Sequence, residues 1–138
     1  MKATLHTNHG PIVVELFPNE APKTVANFTG LATGEKEYKD DAGRSNPTPY
    51  FDGLIFHRVI ANFMVQGGGF DAKYKEKSTR APVAHEGQAA IEKGGPKNVV
   101  GTVAMARTND PHSATAQFFI NVKDNAFLDP TPIPAGDP

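Results

Sequence analysis

Arg58 is the residue whose type and surroundings most clearly suggest chemistry, because it interrupts the apolar run from Leu54 to Ile60. Strand alternation places Phe56, Arg58 and Ile60 on one face. An unpaired guanidinium on an apolar face is costly, and no nearby carboxylate in the sequence offsets it. A surface arginine on an edge strand, or one that reaches solvent, would explain the residue without any function. Taken alone, Arg58 leaves both interpretations open.

The remaining reactive side chains are too scattered to indicate a metal site or a hydrolytic site. His57, His85 and His112 lie far apart and lack the HxH or HExxH spacing of metal ligands, so we expect neither a metal nor a cofactor. The absence of cysteine excludes disulfides, zinc–thiolate sites and cysteine nucleophiles. His57 lies inside an apolar run, and we interpret it as a structural side chain that is hydrogen-bonded in the core.

Three consecutive glycines, Gly67 to Gly69, raise the question of a phosphate-binding loop. No Lys-Ser or Lys-Thr pair follows them and no helical pattern begins there, which argues against such a loop. We predict instead a flexible break that lets the backbone bend close to another strand or to a bound chain.

Length and composition restrict the class of protein. The 138 residues suffice for one domain, which we assign to residues 1–138, and 38% hydrophobic with 21% charged residues is a globular, soluble balance. A formal net charge of -1 gives no reason to expect binding to nucleic acid or to an anionic membrane. No apolar stretch near the N-terminus is long enough for a signal peptide or a membrane helix, so a cytoplasmic protein is expected. The 13 glycines and 12 prolines favour a β-rich fold with few helices.

The first third of the chain contains the clearest local patterns. Alternation over residues 2–7 and the β-branched run from Pro11 to Phe17 flank a tight connection at Gly10, which predicts a hairpin. Apolar residues at helical spacing between Pro22 and Thr33, followed by Gly34, predict one amphipathic helix. Residues 35–52 show no sustained period, so we expect a long loop that is functional or mobile.

The pattern in the rest of the chain predicts short strands joined by polar loops. We predict a strand from Leu54 to Ile60, loops from Asp71 to Lys97, and two further apolar segments at residues 99–106 and 116–122. The proline-rich tail at residues 130–134 favours an extended polyproline II conformation.

Several separated motifs, taken together and in this order, resemble the cyclophilin family. The helical segment Ala21-Pro22-Lys23-Thr24-Val25-Ala26-Asn27-Phe28 and the segment Asn125-Ala126-Phe127-Leu128-Asp129 begin and end the match. Between them lie Phe56-His57-Arg58-Val59-Ile60, Phe63-Met64-Val65-Gln66-Gly67-Gly68, Ala104-Met105-Ala106 and Gln117-Phe118-Phe119-Ile120.

The resemblance implies a mainly β fold, a closed antiparallel β-barrel of eight strands with capping helices. It also implies peptidyl-prolyl cis/trans isomerase activity that assists protein folding. Rotation about an X-Pro bond faces a barrier of about 18–20 kcal/mol because the nitrogen lone pair is delocalised into the carbonyl. A catalyst must favour the twisted amide and needs no nucleophile, metal or proton relay.

The resemblance also implies roles for individual residues. Arg58 is the catalytic group, which donates towards the proline nitrogen or the neighbouring carbonyl, and Gln117 helps to position it. Gln66 binds the substrate backbone. The proline ring lies among Phe63, Met64, Phe119 and Leu128 with Phe127 at the rim, and the peptide extends along Ala106, Arg107 and Thr108.

Two departures from the family pattern lead to further expectations. Phe127 occupies a position where many members have tryptophan, so we expect the inhibitor cyclosporin to bind with reduced affinity, because the indole donor is missing. The family normally continues after Asp129 with further strands and a second helix. We therefore expect this chain to be C-terminally incomplete. Proline-containing peptides and unfolded proteins are the expected partners, and we expect a monomer.

Two alternatives from other functional classes stay open. In one, the same groove binds proline peptides without meaningful catalysis. In the other, the chain is a chaperone-associated scaffold that acts through the loop at residues 35–52. Measured isomerisation separates the first alternative from an enzyme, and deletion of the loop tests the second.

Overall fold

The computed structural model describes residues 1–34, 49–76, 83–84, 86–108 and 112–129. In this part the chain is built mostly from short antiparallel strands, with two α-helices and one 3-10 helix. The elements in chain order are β1 Lys2–Thr7, β2 Gly10–Glu15, α1 Pro22–Thr33, β3 Leu54–Ile55, β4 Arg58–Ile60, β5 Met64–Gly67, β6 Phe70–Asp71, α2 Gly87–Glu92, β7 Val103–Met105, β8 Phe118–Asn121 and the 3-10 helix Ala126–Leu128. The predicted tail at residues 130–134 and most of the predicted loop at residues 35–52 lie outside the described residues.

The predicted hairpin is confirmed. β1 and β2 pair antiparallel, with Lys2 opposite Glu15 and Thr7 opposite Gly10. Gly10 has a φ of 113°, a conformation that glycine adopts without steric cost. The Thr7 hydroxyl donates to the Gly10 carbonyl at 2.6 Å and closes the turn.

The predicted helix is also confirmed, from Pro22 to Thr33. Pro22 stands in the first turn, where its missing N–H has no helical partner to lose. Gly34 ends the helix with a φ of 83°, and its N–H donates to the Leu31 carbonyl. Val25, Phe28 and Leu31 form the buried face, as the helical spacing predicted.

The N-terminus of α1 is capped from a distant part of the chain. Ala21 has no side chain that could accept a hydrogen bond there. The Glu86 carboxylate accepts bonds from the backbone N–H groups of Lys23 and Thr24 and from the Thr24 hydroxyl. A carboxylate at this end also interacts favourably with the helix dipole. Glu86 directly precedes α2, so the prediction of loops throughout residues 71–97 was wrong.

The other strands form two sheets. β3 pairs with β6, and a four-stranded antiparallel sheet has the order β4-β5-β8-β7. A single strand from Leu54 to Ile60 was predicted, but the chain leaves the extended pairing at Phe56 and His57. Phe56 therefore does not share a strand face with Arg58 and Ile60, and that part of the prediction was wrong. The break lets β3 and β4 join different sheets.

Aromatic side chains from three segments make up much of the core. Phe118 packs edge-on against Phe28, Phe51 and Phe56, with ring centroids 5.7, 5.9 and 6.1 Å apart. Such T-shaped pairs add to the free energy that comes from burial alone. Tyr50, which is fully buried, packs beside Phe51. The end of the predicted loop at residues 35–52 therefore belongs to the core.

The three glycines after Gln66 are buried, and they are not a flexible break. Gly67 belongs to β5, and a Cβ atom there would lie 2.8 Å from the Phe56 ring. Gly68 has a φ of 93°, and its Cβ would lie 2.7 Å from the Ala116 carbonyl oxygen. The prediction of close backbone approach to another strand is thus confirmed.

The predicted fold class agrees with the structure at the coarser level. Antiparallel strands dominate the described residues, in which α1 is one of two α-helices. Within the described residues the hairpin and the two sheets are separate and do not close into a barrel. None of the helices in this part of the chain has the length and apolarity needed to cross a membrane.

Candidate active site

Arg58 lies in a row of four residues that crosses the four-stranded sheet. It is opposite Gln66, Gln66 is opposite Phe119, and Phe119 is opposite Ala104. Directly opposed residues of antiparallel strands present their side chains on the same face. We call this side of the sheet the arginine face. It holds a cation, an amide and an aromatic ring side by side.

The arginine face is open at one end and covered at the other. Arg58 is exposed, and among the described residues no carboxylate forms an ion pair with its guanidinium. Two residues further along the strands, Met64 and Asn121 face each other and are 3% and 1% exposed. Met64 therefore forms the buried floor next to Gln66. As far as the described part of the chain shows, the guanidinium is free to donate to a ligand.

Gln117 orients Gln66. The Gln66 amide nitrogen donates to the Gln117 side-chain oxygen at 2.9 Å. The Gln117 carbonyl accepts from the Ala106 N–H at 2.9 Å. A Cβ at Gly69 would lie only 2.5 Å from the Gln117 side chain, so the glycine leaves the space that this amide occupies. Gln117 was expected to position Arg58. In the structure its bond goes to Gln66, the cross-strand neighbour of Arg58.

Phe63 and Phe127 form the aromatic edge of the site. Their rings are stacked, with centroids 5.8 Å apart and an angle of 25° between the planes. Phe127 is 76% exposed, so one side of its ring is available to a ligand. The half-buried Leu128 follows it in the 3-10 helix. The structure therefore brings together Phe63 and Phe127, which are far apart in sequence.

The segment along which the peptide was expected to lie leads away from Gln117. Ala106 is half-buried, whereas Arg107 and Thr108 are exposed. The Arg107 guanidinium donates to the Thr108 carbonyl at 2.9 Å. The Thr108 N–H and hydroxyl both bond the Ser113 hydroxyl at 2.9 Å, which fixes the two ends of this connection. Residues 109–111 lie outside the described part of the chain.

His57 is packed beside the site, where the sequence predicted a hydrogen bond for its ring in the core. Its ring lies against Phe70, with centroids 4.2 Å apart, and its buried Nδ1 has no partner among the described residues. Burial lowers the pKa of His57 from its usual value of 6.5, the charge of Arg58 lowers it further, and Glu76 opposes both. His57 is thus kept neutral, and we find no chemical role for it.

This packing predicts that stability depends on pH. Because the folded state lowers the pKa of His57, the unfolded state binds more protons just below pH 6.5. The stabilisation is complete above the unfolded pKa and is lost as the pH falls through the folded pKa. We expect the melting temperature to fall between about pH 7 and pH 5.5, and the fall to be smaller in His57→Gln. An equal fall in both proteins would contradict the role of His57.

Two buried asparagines of the site were not predicted from the sequence. Asn121 and Asn125 are 1% and 2% exposed, and the Asn125 side chain donates to the Phe63 carbonyl at 2.9 Å. The available signal was the polar Asn121 at the end of the apolar run Phe118 to Ile120. Asn125 was noted only as part of a matching motif.

The arrangement suits binding and electrostatic chemistry. It offers a fixed cation, a held amide and apolar rings, and among the described residues no group of three His, Asp or Glu side chains could hold a metal. A guanidinium keeps its charge at all ordinary pH values and holds its donors in a plane. The site can therefore stabilise partial negative charge on a ligand without transferring a proton.

Solved structures with a similar fold are cyclophilins. A cyclophilin from Hirschia baltica matches with a TM-score of 0.70 and 25% identity over 93% of this chain and 59% of its own. A cyclophilin type peptidyl-prolyl cis-trans isomerase from Cryptosporidium parvum, determined in the presence of the dipeptide Ala-Pro, matches with a TM-score of 0.66 and 23% identity over 94% of this chain and 72% of its own. The second likeness shows the fold alone.

The sequence comparisons identify the family. The family model of cyclophilin type peptidyl-prolyl cis-trans isomerase/CLD matches residues 2–134, so the chain belongs to the cyclophilin family. Peptidyl-prolyl cis-trans isomerase cyp18 from Streptomyces antibioticus is 54% identical over 127 residues, which cover 92% of this chain. Peptidyl-prolyl cis-trans isomerase B from Escherichia coli is 48% identical over 125 residues, or 91% of this chain. The chain spans 65% of the length of each relative.

Proposed function

We propose that the protein is a peptidyl-prolyl cis/trans isomerase that acts on X-Pro bonds of peptides and unfolded proteins. The observation that carries this proposal is the row in which Arg58 lies opposite Gln66 and Gln66 lies opposite Phe119, in a chain of the cyclophilin family. Relatives in which about half of the aligned residues are identical are named as such isomerases, which supports the same activity here.

The proposed mechanism is electrostatic. Twisting the X-Pro amide localises the lone pair on the proline nitrogen, because conjugation with the carbonyl is lost. The Arg58 guanidinium donates towards that nitrogen or the adjacent carbonyl more strongly in the twisted state than in the planar one. Only such differential binding lowers the barrier. A donor that is already in position needs no reorganisation during the rotation.

The other residues of the site hold the peptide around this donor. Gln66, oriented by its bond to Gln117, binds the substrate backbone. The proline ring lies against Phe63, Met64, Phe119 and Leu128, with Phe127 at the rim. The peptide continues along Ala106, Arg107 and Thr108. A fold neighbour was determined in the presence of Ala-Pro, and we choose a peptide with this unit as the test substrate.

The finer fold prediction also belongs to this proposal. We propose that the hairpin β1–β2, the pair β3–β6 and the four-stranded sheet are parts of a closed antiparallel barrel with capping helices in one domain. Closure would remove the unpaired edges of β4 and β7, which are the outer strands of the four-stranded sheet. The two cyclophilin structures with similar folds support this architecture.

The proposal is tested by the isomerisation rate of an Ala-Pro tetrapeptide with and without the protein. We expect acceleration that is proportional to protein concentration, whereas the uncatalysed reaction takes tens of seconds or more. The same protein after thermal unfolding is the control. No acceleration by folded protein at any substrate concentration would refute the proposed activity.

Because Phe127 stands at the rim of the site, we predict a modestly reduced affinity for cyclosporin. The exposed ring keeps apolar area but lacks the indole N–H that many family members have at this position. Phe127→Trp should tighten cyclosporin binding by about 0.5–1.5 kcal/mol, the net contribution of one hydrogen bond. Phe127→Leu is the matched control, because it has no donor either. An equal dissociation constant for Phe127→Trp and the unchanged protein would show that Phe127 is not the responsible residue.

A further inference from the structure

Asn121 and Asn125 form a buried hydrogen-bonded network directly behind the aromatic edge of the site. The Asn125 amide nitrogen donates to the Phe63 carbonyl and to the Asn121 side-chain oxygen, both at 2.9 Å. The Asn121 amide nitrogen donates to the Asn98 side-chain oxygen and to the Thr102 hydroxyl, both at 3.0 Å. Buried amides are costly unless they are bonded in this way.

The hydrogen bonds of the network run in one donor-to-acceptor direction from Asn125 to Asp129. The Phe63 carbonyl can only accept, so the nitrogen of the Asn125 amide must face it. The Asn125 amide therefore donates to Asn121, which donates to Asn98. The Asn98 side chain and N–H donate in turn to the Asp129 carboxylate, at 3.2 and 2.8 Å. A carboxylate at the end strengthens the donors that lead to it.

The network joins the two segments that carry the aromatic edge. The Phe63 carbonyl, in the turn between β4 and β5, accepts from Asn125 and also from the Val122 N–H at 3.2 Å. The Asn125 carbonyl accepts from the Leu128 N–H at 2.9 Å, which shapes the 3-10 helix with Phe127. A single side chain thus connects the backbone of Phe63 to the turn that presents Phe127. Its loss leaves a buried carbonyl and a buried amide oxygen each short of a donor.

We propose that Asn125 and Asn121 are positioning residues of the proline pocket, which hold Phe63 and the 3-10 helix at the separation that the proline ring requires. They act through Phe63 and Phe127 and do not touch the substrate. This inference rests on the proposed isomerase function and extends it. The expected consequence is a defect in substrate binding, because Arg58 lies on the outer strand β4 and makes no described hydrogen bond to Asn121 or Asn125.

The test measures kinetics and amide hydrogen exchange on the same variants. Asn125→Ala removes both donors, whereas Asn125→Asp keeps the size and replaces the donors by acceptors. Glu86→Ala is the control for a general loss of stability, because the described bonds of the Glu86 carboxylate go to the start of α1 and none goes to the pocket. All proteins are assayed well below their melting temperatures.

We expect KM for the tetrapeptide to rise about tenfold in Asn125→Ala and in Asn125→Asp while kcat changes little. The amides of Val122 and Leu128 should exchange at least about tenfold faster, with Val65 in the central strand β5 unchanged. Glu86→Ala should melt at a lower temperature with KM unchanged. The double variant Asn121→Ala/Asn125→Ala should have a KM little higher than that of either single variant, because the two residues act as one unit.

The results separate this inference from the proposed function. Unchanged exchange at Val122 and Leu128 in Asn125→Ala would overturn the positioning role, whether or not the protein is active. An unchanged KM in an active Asn125→Ala protein would also overturn the positioning role. So would a rise in KM in Glu86→Ala as large as the rise in Asn125→Ala. Faster exchange together with no isomerisation by the unchanged protein would refute the proposed function and, with it, the catalytic part of this inference.

Discussion

Replacing Arg58 by alanine is expected to lower kcat/KM for a proline tetrapeptide at least about tenfold, a loss of about 1.4 kcal/mol of transition-state stabilisation. The physical reason is that the guanidinium is the free cation of the arginine face and has no ion-pair partner among the described residues. Arg58→Lys should lower kcat/KM as well, because the lysine ammonium keeps the charge but lacks the rigid plane of donors.

The effect should be separable from stability. Arg58 is exposed on the outer strand β4, so we expect Arg58→Ala to unfold within a few degrees of the unchanged protein. Lys2→Ala is the matched control, since Lys2 is an exposed cation on β1, which does not belong to the sheet that carries the arginine face. Full activity of folded Arg58→Ala, or an equal loss in Lys2→Ala, would show that the chemistry is not centred on this residue.

The second large effect concerns the backbone that lies against β8. Gly68→Ala would force an L residue to a φ of 93° and place its Cβ 2.7 Å from the Ala116 carbonyl oxygen. Conformational strain costs about 1–2 kcal/mol and overpacking about 1–3 kcal/mol more. We expect a loss of about 2–5 kcal/mol in the free energy of unfolding, measured by denaturant titration.

Gly94→Ala separates the two contributions. Gly94 has a φ of 87°, close to that of Gly68, but a Cβ there would meet no atom within 4 Å. Its replacement should cost only the strain, about 1–2 kcal/mol. Equal losses for Gly68→Ala and Gly94→Ala would mean that close contact with Ala116 does not constrain the fold.

The parts of the fold that were predicted from sequence depend on local signals. Pro22 and Gly34 set the limits of α1 because a missing N–H and a positive φ are tolerated only at helix ends. The hairpin follows in the same way from alternation and from Gly10. In each case the residues that determine the structure lie within a few positions of it.

The predictions of the fold that were wrong concern features that depend on contacts between residues distant in sequence. The break at Phe56 and His57 follows from their packing against Phe118 and Phe70, which no local pattern reveals. Glu86 caps a helix that begins some 60 residues earlier in the chain. A six-residue helix such as α2 has too few turns to show a periodic pattern.

The site was predicted by family resemblance more than by physical pattern. Arg58 stood out as a cation in an apolar run, but its position opposite Gln66 depends on strand register, and a slip of one residue would turn every side chain to the other face. The link from Asn125 to Phe63 spans 62 positions and joins two polar groups that are unremarkable in the sequence. Local spacing carries no information about either contact.

The most direct measurement of the central claim is NMR exchange spectroscopy on an Ala-Pro peptide at equilibrium with substoichiometric protein. Uncatalysed exchange between the cis and trans forms takes tens of seconds or longer, so the peptide alone gives no exchange cross peaks at sub-second mixing times. We predict cross peaks between the two forms with the unchanged protein and a strongly reduced exchange rate with Arg58→Ala. Peptide shift changes that report binding, without any cross peaks, would contradict the isomerase function and identify a proline-peptide binding module instead.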